Sequence, residues 1–220
     1  MAIETTYFTA TDHDANWEEV RAWLAANATE YFDTIDGTTW SNEVICKNDG
    51  KEVLKLNFTS SGGTSLFAVY LKNGVSIGSS YWDKSRKFVK AYKTDNGICL
   101  WASNTDNIMI AKTAEGANIV AVVTNAISGA LRWYIGDATS SAAFVASSTQ
   151  GSSPWANSNI ITMGVNSAGK TSLVPAVTDS GTYSENLFFV PFTQFFSQGN
   201  MIIDIDGTKY VYNGVFALKE

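Results

Sequence analysis

The sequence predicts a mainly β protein, an antiparallel β-sandwich or barrel-like meander with one N-terminal amphipathic α-helix. Short apolar runs with strand-like patterning recur along the chain after residue 37, and tight-turn dipeptides separate them. Helical spacing of apolar residues is convincing only near the start of the chain. Because these strands follow one another without helices between them, we expect antiparallel pairing.

The helix is predicted from the spacing of apolar residues in steps of three and four. These residues are Trp17, Val20, Leu24, Ala28, Tyr31 and Ile35. Acidic residues cluster where this pattern begins, and the helix dipole favours negative charge there. Asp36-Gly37 is the predicted end. Two interpretations of the apolar face remain open, packing on the β core and docking on a neighbouring subunit.

Two regions follow from this reading, an arm with the helix at residues 1–36 and an antiparallel β domain at residues 37–220. Predicted strands lie at residues 40–46, 53–58, 66–71, 75–80, 88–92, 98–102, 108–112, 119–124, 131–135, 144–146, 160–163 and 173–177. Glycine-containing dipeptides such as Asn96-Gly97 mark turns between several of them. The Ser- and Ala-rich residues 137–159 are either a long surface loop or a sub-boundary between sheet regions.

The last segment, residues 187–218, predicts a three-stranded antiparallel meander preceded by an apolar and aromatic run. Its strands are expected at residues 201–205, 208–212 and 215–218, with Asp206-Gly207 and Asn213-Gly214 between them. Two-residue hairpin turns need positive φ at both central positions, and Asn or Asp followed by Gly accepts this at little cost.

The composition predicts a soluble protein whose surface is polar but poor in charge. Charged residues make up 16% of the chain, below the roughly 25% of average globular proteins. The net charge of −6 argues against nucleic acid or an anionic membrane as partner, because both attract clustered Lys and Arg. The N-terminus lacks a signal-peptide pattern, and no apolar run approaches the roughly 20 residues that span a bilayer. We therefore expect synthesis in a cytoplasm.

Residues Gly164 to Thr171 match the P-loop formula G-x4-G-K-[ST] and follow an apolar run. A P-loop must lead into a helix whose N-terminus faces the phosphates. Here Pro175 follows closely among β-branched residues, which favours a strand. We interpret the match as a hairpin turn with an exposed Lys170, so no cofactor is expected.

Catalytic and metal-binding patterns are weak throughout the sequence. His13 is the only histidine, so a Ser-His-Asp or Cys-His system is not expected. Cys46 and Cys99 are the only cysteines, and without a secretion signal two buried thiols are favoured over a disulfide. We expect no catalytic residue and no metal site, and therefore a protein that is not an enzyme.

One basic cluster and many aromatic residues supply the candidate contacts. The cluster comprises Lys84, Arg86, Lys87, Lys90 and Lys93. A solvated strand or an edge strand protected by lysines is the favoured interpretation of this cluster, ahead of binding to a phosphate backbone or an acidic partner. Among the aromatics, Trp17, Trp23, Trp133 and Trp155 are candidate interface or ligand contacts.

The chain also resembles structural proteins encoded by tailed bacteriophages and prophages. The resemblance is carried by residues 7–10 and 28–32 near the start, and by residues 187–192, 207–211 and 213–218 near the end. It implies a non-enzymatic virion component, a capsid decoration or tail protein, made in the host cytoplasm. Its implied partners are copies of itself and other virion proteins.

A second function remains open beside that one. Aromatic faces exposed on a β-sandwich can stack on sugar rings, and the chain has seven Trp and nine Tyr residues. A β-sandwich module that binds carbohydrate, used for host attachment, is therefore the alternative to a purely structural role.

Overall fold

The fold is mainly β, with antiparallel strands and an N-terminal helix, as the sequence predicts. The computed structural model describes residues 2–31, 34–36, 43–48, 51–61, 64–71, 76–83, 87–103, 107–112, 118–125, 131–137, 144–147, 173–177, 183–189, 202–212 and 216–220. The N-terminal elements are β1 (Glu4–Tyr7), α1 (His13–Asn27) and β2 (Thr34–Asp36).

The remaining elements of the described chain are all strands. They are β3 (Glu43–Asn48), β4 (Lys51–Ser61), β5 (Thr64–Leu71), β6 (Ser76–Asp83), β7 (Phe88–Thr94), β8 (Gly97–Ala102), β9 (Asn107–Lys112), β10 (Asn118–Asn125), β11 (Leu131–Asp137), β12 (Phe144–Ser147), β13 (Val174–Val177), β14 (Tyr183–Phe189), β15 (Ile202–Ile205), β16 (Thr208–Tyr212) and β17 (Phe216–Lys219). The predicted strands overlap these elements except at residues 160–163, which lie outside the described residues. Strands β1, β2 and β14 were not predicted.

The strands form three open sheets with antiparallel pairing. Sheet I has the order β1-β7-β8-β9-β10-β11-β12, sheet II the order β13-β14-β17-β16-β15, and sheet III the order β2-β3-β4-β5-β6. Each order has two free ends, so the described strands of these sheets do not close into a barrel.

Sheets I and II pack face to face around a common apolar core, which makes this part a β-sandwich. The core residues from sheet I are Tyr92, Cys99, Trp101, Met109, Ala111, Ile119 and Ala121, and those from sheet II are Leu187, Val211, Phe216 and Leu218. Two hydrogen bonds tie the layers at their margins. Ser184 Oγ donates to the Lys112 carbonyl at 2.6 Å, and Asn96 Nδ2 donates to the Glu220 carbonyl at 2.6 Å.

Gly97 has a packing role that differs from its predicted place in a turn. The β7–β8 turn is at Asp95-Asn96, and Gly97 is the first residue of β8, paired with Thr94. A Cβ atom at Gly97 would collide with the Ile110 carbonyl oxygen and with the Leu218 side chain. The absence of a side chain therefore lets sheet II approach sheet I closely.

The opposite face of sheet I is also covered, and α1 lies on it. Trp17 stacks on Phe88 with ring centroids 6.0 Å apart. The Asn16 amide bridges the Phe88 backbone, donating to its carbonyl at 2.8 Å and accepting from its N–H at 2.9 Å. All six residues of β8 are buried because both faces of this strand are covered.

The buried face of α1 is confirmed, but the predicted helix end at Asp36-Gly37 is wrong. The helix begins after Asp12, whose carboxylate accepts the Ala15 N–H at 2.9 Å and caps the first turn. It ends at Asn27, and the Ala28 N–H makes the last bond, to Leu24. The apolar spacing in the sequence continues beyond Asn27 for other reasons. Tyr31 is buried in the turn that follows the helix, and Ile35 belongs to β2.

The C-terminal meander is confirmed as β15, β16 and β17, paired in sequence order. Asp206 has φ 52° and Gly207 has φ 83°, so both central residues of the β15–β16 turn are left-handed, as predicted. The Gly207 N–H also donates to Asp204 Oδ1 at 2.9 Å. Asn213-Gly214 lies outside the described residues. Within the described part of the chain, no helix has the length and hydrophobicity needed to cross a membrane.

Candidate functional site

The exposed margin of sheet I is formed by β1, whose one partner among the described strands is β7. The register runs from Glu4 opposite Lys93 to Tyr7 opposite Lys90, and the Phe8 N–H continues the ladder to the Val89 carbonyl at 3.0 Å. Hydrogen bonding alternates along an antiparallel ladder. The N–H and C=O groups of Thr5 and Tyr7 therefore point away from β7, along the open edge.

Glu19 of α1 fixes the chain that follows β1. Its carboxylate accepts hydrogen bonds from the Thr9 and Ala10 backbone N–H groups at 2.9 and 3.0 Å, and from the Thr9 hydroxyl at 3.0 Å. The bond from Ala10 is the main reason why the pKa of the Glu19 carboxyl lies below its ordinary value, although burial opposes it. Lys87 Nζ donates to the Ala10 carbonyl at 3.2 Å.

Trp23, which like Glu19 is in α1, holds β1 against the helix. Its indole N–H donates to Thr6 Oγ1 at 3.1 Å, and its ring contacts Phe8 edge-on with centroids 6.5 Å apart. Trp23 is 9% exposed, and Trp17 is 4% exposed. These contacts confirm that the helix packs on the β core, while a contact of the helix with a neighbouring subunit stays a prediction.

The other predicted site residues are only partly within the described chain. Trp133 is in β11, with its backbone opposite Val123 of β10 and Ala146 of β12. Trp155 and the P-loop-like residues Gly164 to Thr171 lie outside the described residues. Contact roles for Trp133 and Trp155 therefore stay predictions.

Lys90 and Lys93 of the basic cluster are on an interior strand, so the interpretation as an edge strand is wrong for this part of the cluster. β7 lies between β1 and β8 in sheet I. Lys87 donates a hydrogen bond to the Ala10 carbonyl, and Lys93 is opposite Glu4 in the β1–β7 ladder. Lys84 and Arg86 lie outside the described residues.

Lys90 is half-buried and its ammonium lies over two aromatic rings. Nζ is 5.4 Å from the ring centroid of Tyr92 and 5.8 Å from that of Trp101, both distances within the range of cation–π attraction. Burial lowers the pKa of Lys90. Within the described chain, Lys90 has no carboxylate or other hydrogen-bond acceptor as a partner.

Tyr7 completes a short cross-strand row with Lys90 and Trp101. Tyr7 pairs with Lys90, and Lys90 pairs with Trp101, so the three side chains share one face of sheet I. Side chains directly opposite one another have Cβ atoms about 4.5–5.5 Å apart. Tyr7 is 70% exposed, whereas Trp101 is buried. The row therefore leads from solvent to the sandwich core, and we call these three residues the margin row.

The described residues contain no group of three or more His, Cys, Asp or Glu side chains arranged to hold a metal ion. The Cys99 thiol is free, and complete burial raises its pKa, which keeps it protonated and unreactive. This agrees with the prediction of a buried thiol at Cys99.

Comparison of the chain with protein-family models, curated proteins and solved structures gives no significant match.

Proposed function

We propose that this chain is a non-enzymatic structural protein of a bacteriophage virion, a capsid decoration or tail component. It works through contacts with copies of itself and with other virion proteins. The virion assignment rests on the resemblance of its terminal segments to phage structural proteins. The observation that supports assembly as its mode of action is the open β1 edge of sheet I.

The β1 edge has the properties of a strand that accepts another strand. Its sequence, Glu4-Thr5-Thr6-Tyr7, contains neither Lys nor Pro, the residues that commonly protect an edge. Thr5 and Tyr7 direct main-chain donors and acceptors outward. Added strands bind to such an edge through main-chain hydrogen bonds.

The edge is also held in place before any partner arrives. Glu19 binds the chain that follows β1, at Thr9 and Ala10, and Trp23 binds Thr6 within β1. A strand that is already ordered loses little conformational entropy on association. The low charge of the chain, 16% of residues, also suits subunit contacts, whose cores are depleted in charge.

Light scattering coupled to size exclusion tests this proposal. We expect a stable multiple of the 23.8 kDa chain at micromolar and higher concentrations. Thr5→Pro removes the outward N–H of Thr5 and leaves the ladder to β7 intact, because proline is tolerated where the N–H faces solvent. We expect this variant to shift towards the monomer.

The control variant is Thr5→Ala, which keeps the backbone donor and should keep the multimer. Matching melting temperatures of the variants would show that Thr5→Pro has not unfolded the chain. A monomeric wild type at high concentration would contradict self-assembly. A Thr5→Pro multimer as stable as the wild type would show that subunits do not meet at β1.

The alternative, a module that binds carbohydrate, is favoured by one specific observation. Tyr7 is 70% exposed and is paired with Lys90 in the β1–β7 ladder, so the two side chains are on the same face of sheet I. An exposed ring of this kind offers a flat apolar surface to a sugar.

A further inference from the structure

The Lys90 ammonium is placed to bind an anion that the described chain does not supply. It carries three hydrogen-bond donors. Its described contacts are the π faces of Tyr92 and Trp101, which attract the charge but accept no ordinary hydrogen bond. Half-burial lowers the local dielectric, so an anion is attracted more strongly here than at a fully solvated lysine.

Among the described residues nearest to Lys90 in the ladder, none places a negative charge beside its ammonium. Glu4 is three residues from Tyr7 and therefore on the opposite face of β1, where it is paired with Lys93. Tyr92 and Cys99 also face Lys90, and burial raises the pKa of each side chain, so both stay neutral at physiological pH. An incoming anion meets no carboxylate among these described neighbours.

Tyr7 adds a second requirement, which selects among anions. Tyr7 is exposed and is directly opposite Lys90 in the ladder, so its side chain is on the same face of the sheet. A small inorganic anion would use the ammonium and leave the ring uncovered. A pyranose ring with a carboxylate would place its C–H face on the tyrosine and its carboxylate on the ammonium.

We propose that Tyr7 and Lys90 form a binding site for a sugar that carries a carboxylate, such as a uronic acid unit of a glycan. A single ammonium matches a single carboxylate charge, whereas binding to a phosphate backbone needs several basic groups. The site goes beyond an assembly role. Strand addition uses the edge of β1 in the plane of the sheet, and the sugar would lie on the face, so the two do not exclude each other.

A matched pair of ligands tests the proposal. Methyl β-D-glucuronide and methyl β-D-glucoside differ only in having a carboxylate or a hydroxymethyl group on the ring. Titration followed by NMR should show saturable binding of the glucuronide to the full chain. The glucoside should bind at least about tenfold more weakly, since a charge-assisted hydrogen bond is lost. Acetate, which has the charge but no ring, should also bind more weakly.

Three variants assign the effect to residues. Lys90→Met keeps an unbranched side chain over the two rings and should abolish the preference for the glucuronide. Tyr7→Ala, at an exposed position, should weaken both sugars and leave acetate unchanged. Lys93→Met changes a lysine on the opposite face of the same strand and should bind the glucuronide like the wild type.

Several results would overturn the proposal. Equal binding of glucoside and glucuronide would remove the role of the charge, and equal binding of acetate would remove the role of the ring. Absence of glucuronide binding at millimolar concentration would remove the site itself. An equal loss in Lys93→Met and Lys90→Met would show that general charge, and not Lys90, attracts the ligand. None of these results depends on whether the chain forms multimers.

Discussion

Strands β1 and β8 both pair with β7 in sheet I, yet their environments are opposite. Every residue of β8 is buried, and every residue of β1 is exposed. β8 is apolar throughout because side chains on both of its faces are buried. β1 has one aromatic residue, and its backbone groups and Tyr7 ring are open to solvent. Within one sheet, therefore, the centre supplies stability and the margin supplies the contacts that we propose for function.

This difference explains why the margin can carry a binding role at little cost in stability. A residue in the centre touches both neighbouring layers, so its replacement disturbs the whole sandwich. A residue at the margin touches one strand and solvent. The margin row joins the two environments, since Trp101 belongs to the core and Tyr7 does not.

Phe88→Ala should have the largest effect on stability and would test the comparison directly. Phe88 is 0% exposed and stacks on Trp17, so its loss leaves a cavity between α1 and sheet I. We expect the free energy of unfolding to fall by about 3–5 kcal/mol in a urea titration. Tyr7→Ala, at the margin, should change it by less than about 0.5 kcal/mol. Equal losses for the two variants would mean that centre and margin do not differ as described.

Gly97→Ala should have the next largest effect, because it adds one methyl group where the two sheets meet. The new Cβ would overlap the Ile110 carbonyl oxygen and the Leu218 side chain, so a backbone segment has to move. We expect a loss of about 1–3 kcal/mol in the same titration. Gly207→Ala is an informative comparison, because a Cβ there meets open space and the cost comes only from its φ of 83°. A fully stable Gly97→Ala variant would show that the sheets are not closely packed at this point.

Local chemistry made much of the fold predictable from the sequence. The prediction of a turn at Asp206-Gly207 was correct because Asp and Gly themselves accept positive φ readily. The prediction of β8 and β9 from their apolar runs was correct because a strand that is buried on both faces consists mainly of apolar residues. The helix end was wrong, since the apolar spacing continues through Tyr31 into Ile35 although the backbone has left the helix.

The margin could not be predicted in the same way, because register creates it. Tyr7 and Lys90 are distant in the sequence and meet only when β1 adds to β7. β1 itself was missed because its four residues show no alternation of apolar and polar side chains, although Thr and Tyr favour strands. That omission also explains why an edge strand was among the favoured interpretations of the basic cluster. Once its outer neighbour is known, β7 is an interior strand, with Lys90 on the face of the margin row and Lys93 on the other face.

Glu19→Gln should have the smallest effect, and its pH dependence is the diagnostic feature. Hydrogen bonds from Ala10 and Thr9 lower the pKa of the folded-state carboxyl below its ordinary value of 4.5. A lowered pKa stabilises the fold above the unfolded-state pKa, and this contribution is lost as the pH falls through the folded-state pKa. The wild type should therefore be more stable than Glu19→Gln at pH 7, and the difference should shrink towards pH 3. Paired urea titrations at the two pH values measure it.

Glu30→Gln is the matched control, since Glu30 is an exposed glutamate in the turn after α1. Its stability relative to the wild type should change less between pH 7 and pH 3 than that of Glu19→Gln.

The same variants also test the margin, because Glu19 holds the residues that follow β1. If the hydrogen bonds of Glu19 order the margin, Glu19→Gln should speed amide hydrogen exchange at Thr9 and Ala10. Exchange in β8 should stay unchanged. An equal increase of amide exchange in β8 would mean that β1 and β8 unfold locally as one unit. That result would contradict the proposed difference in stability between margin and centre.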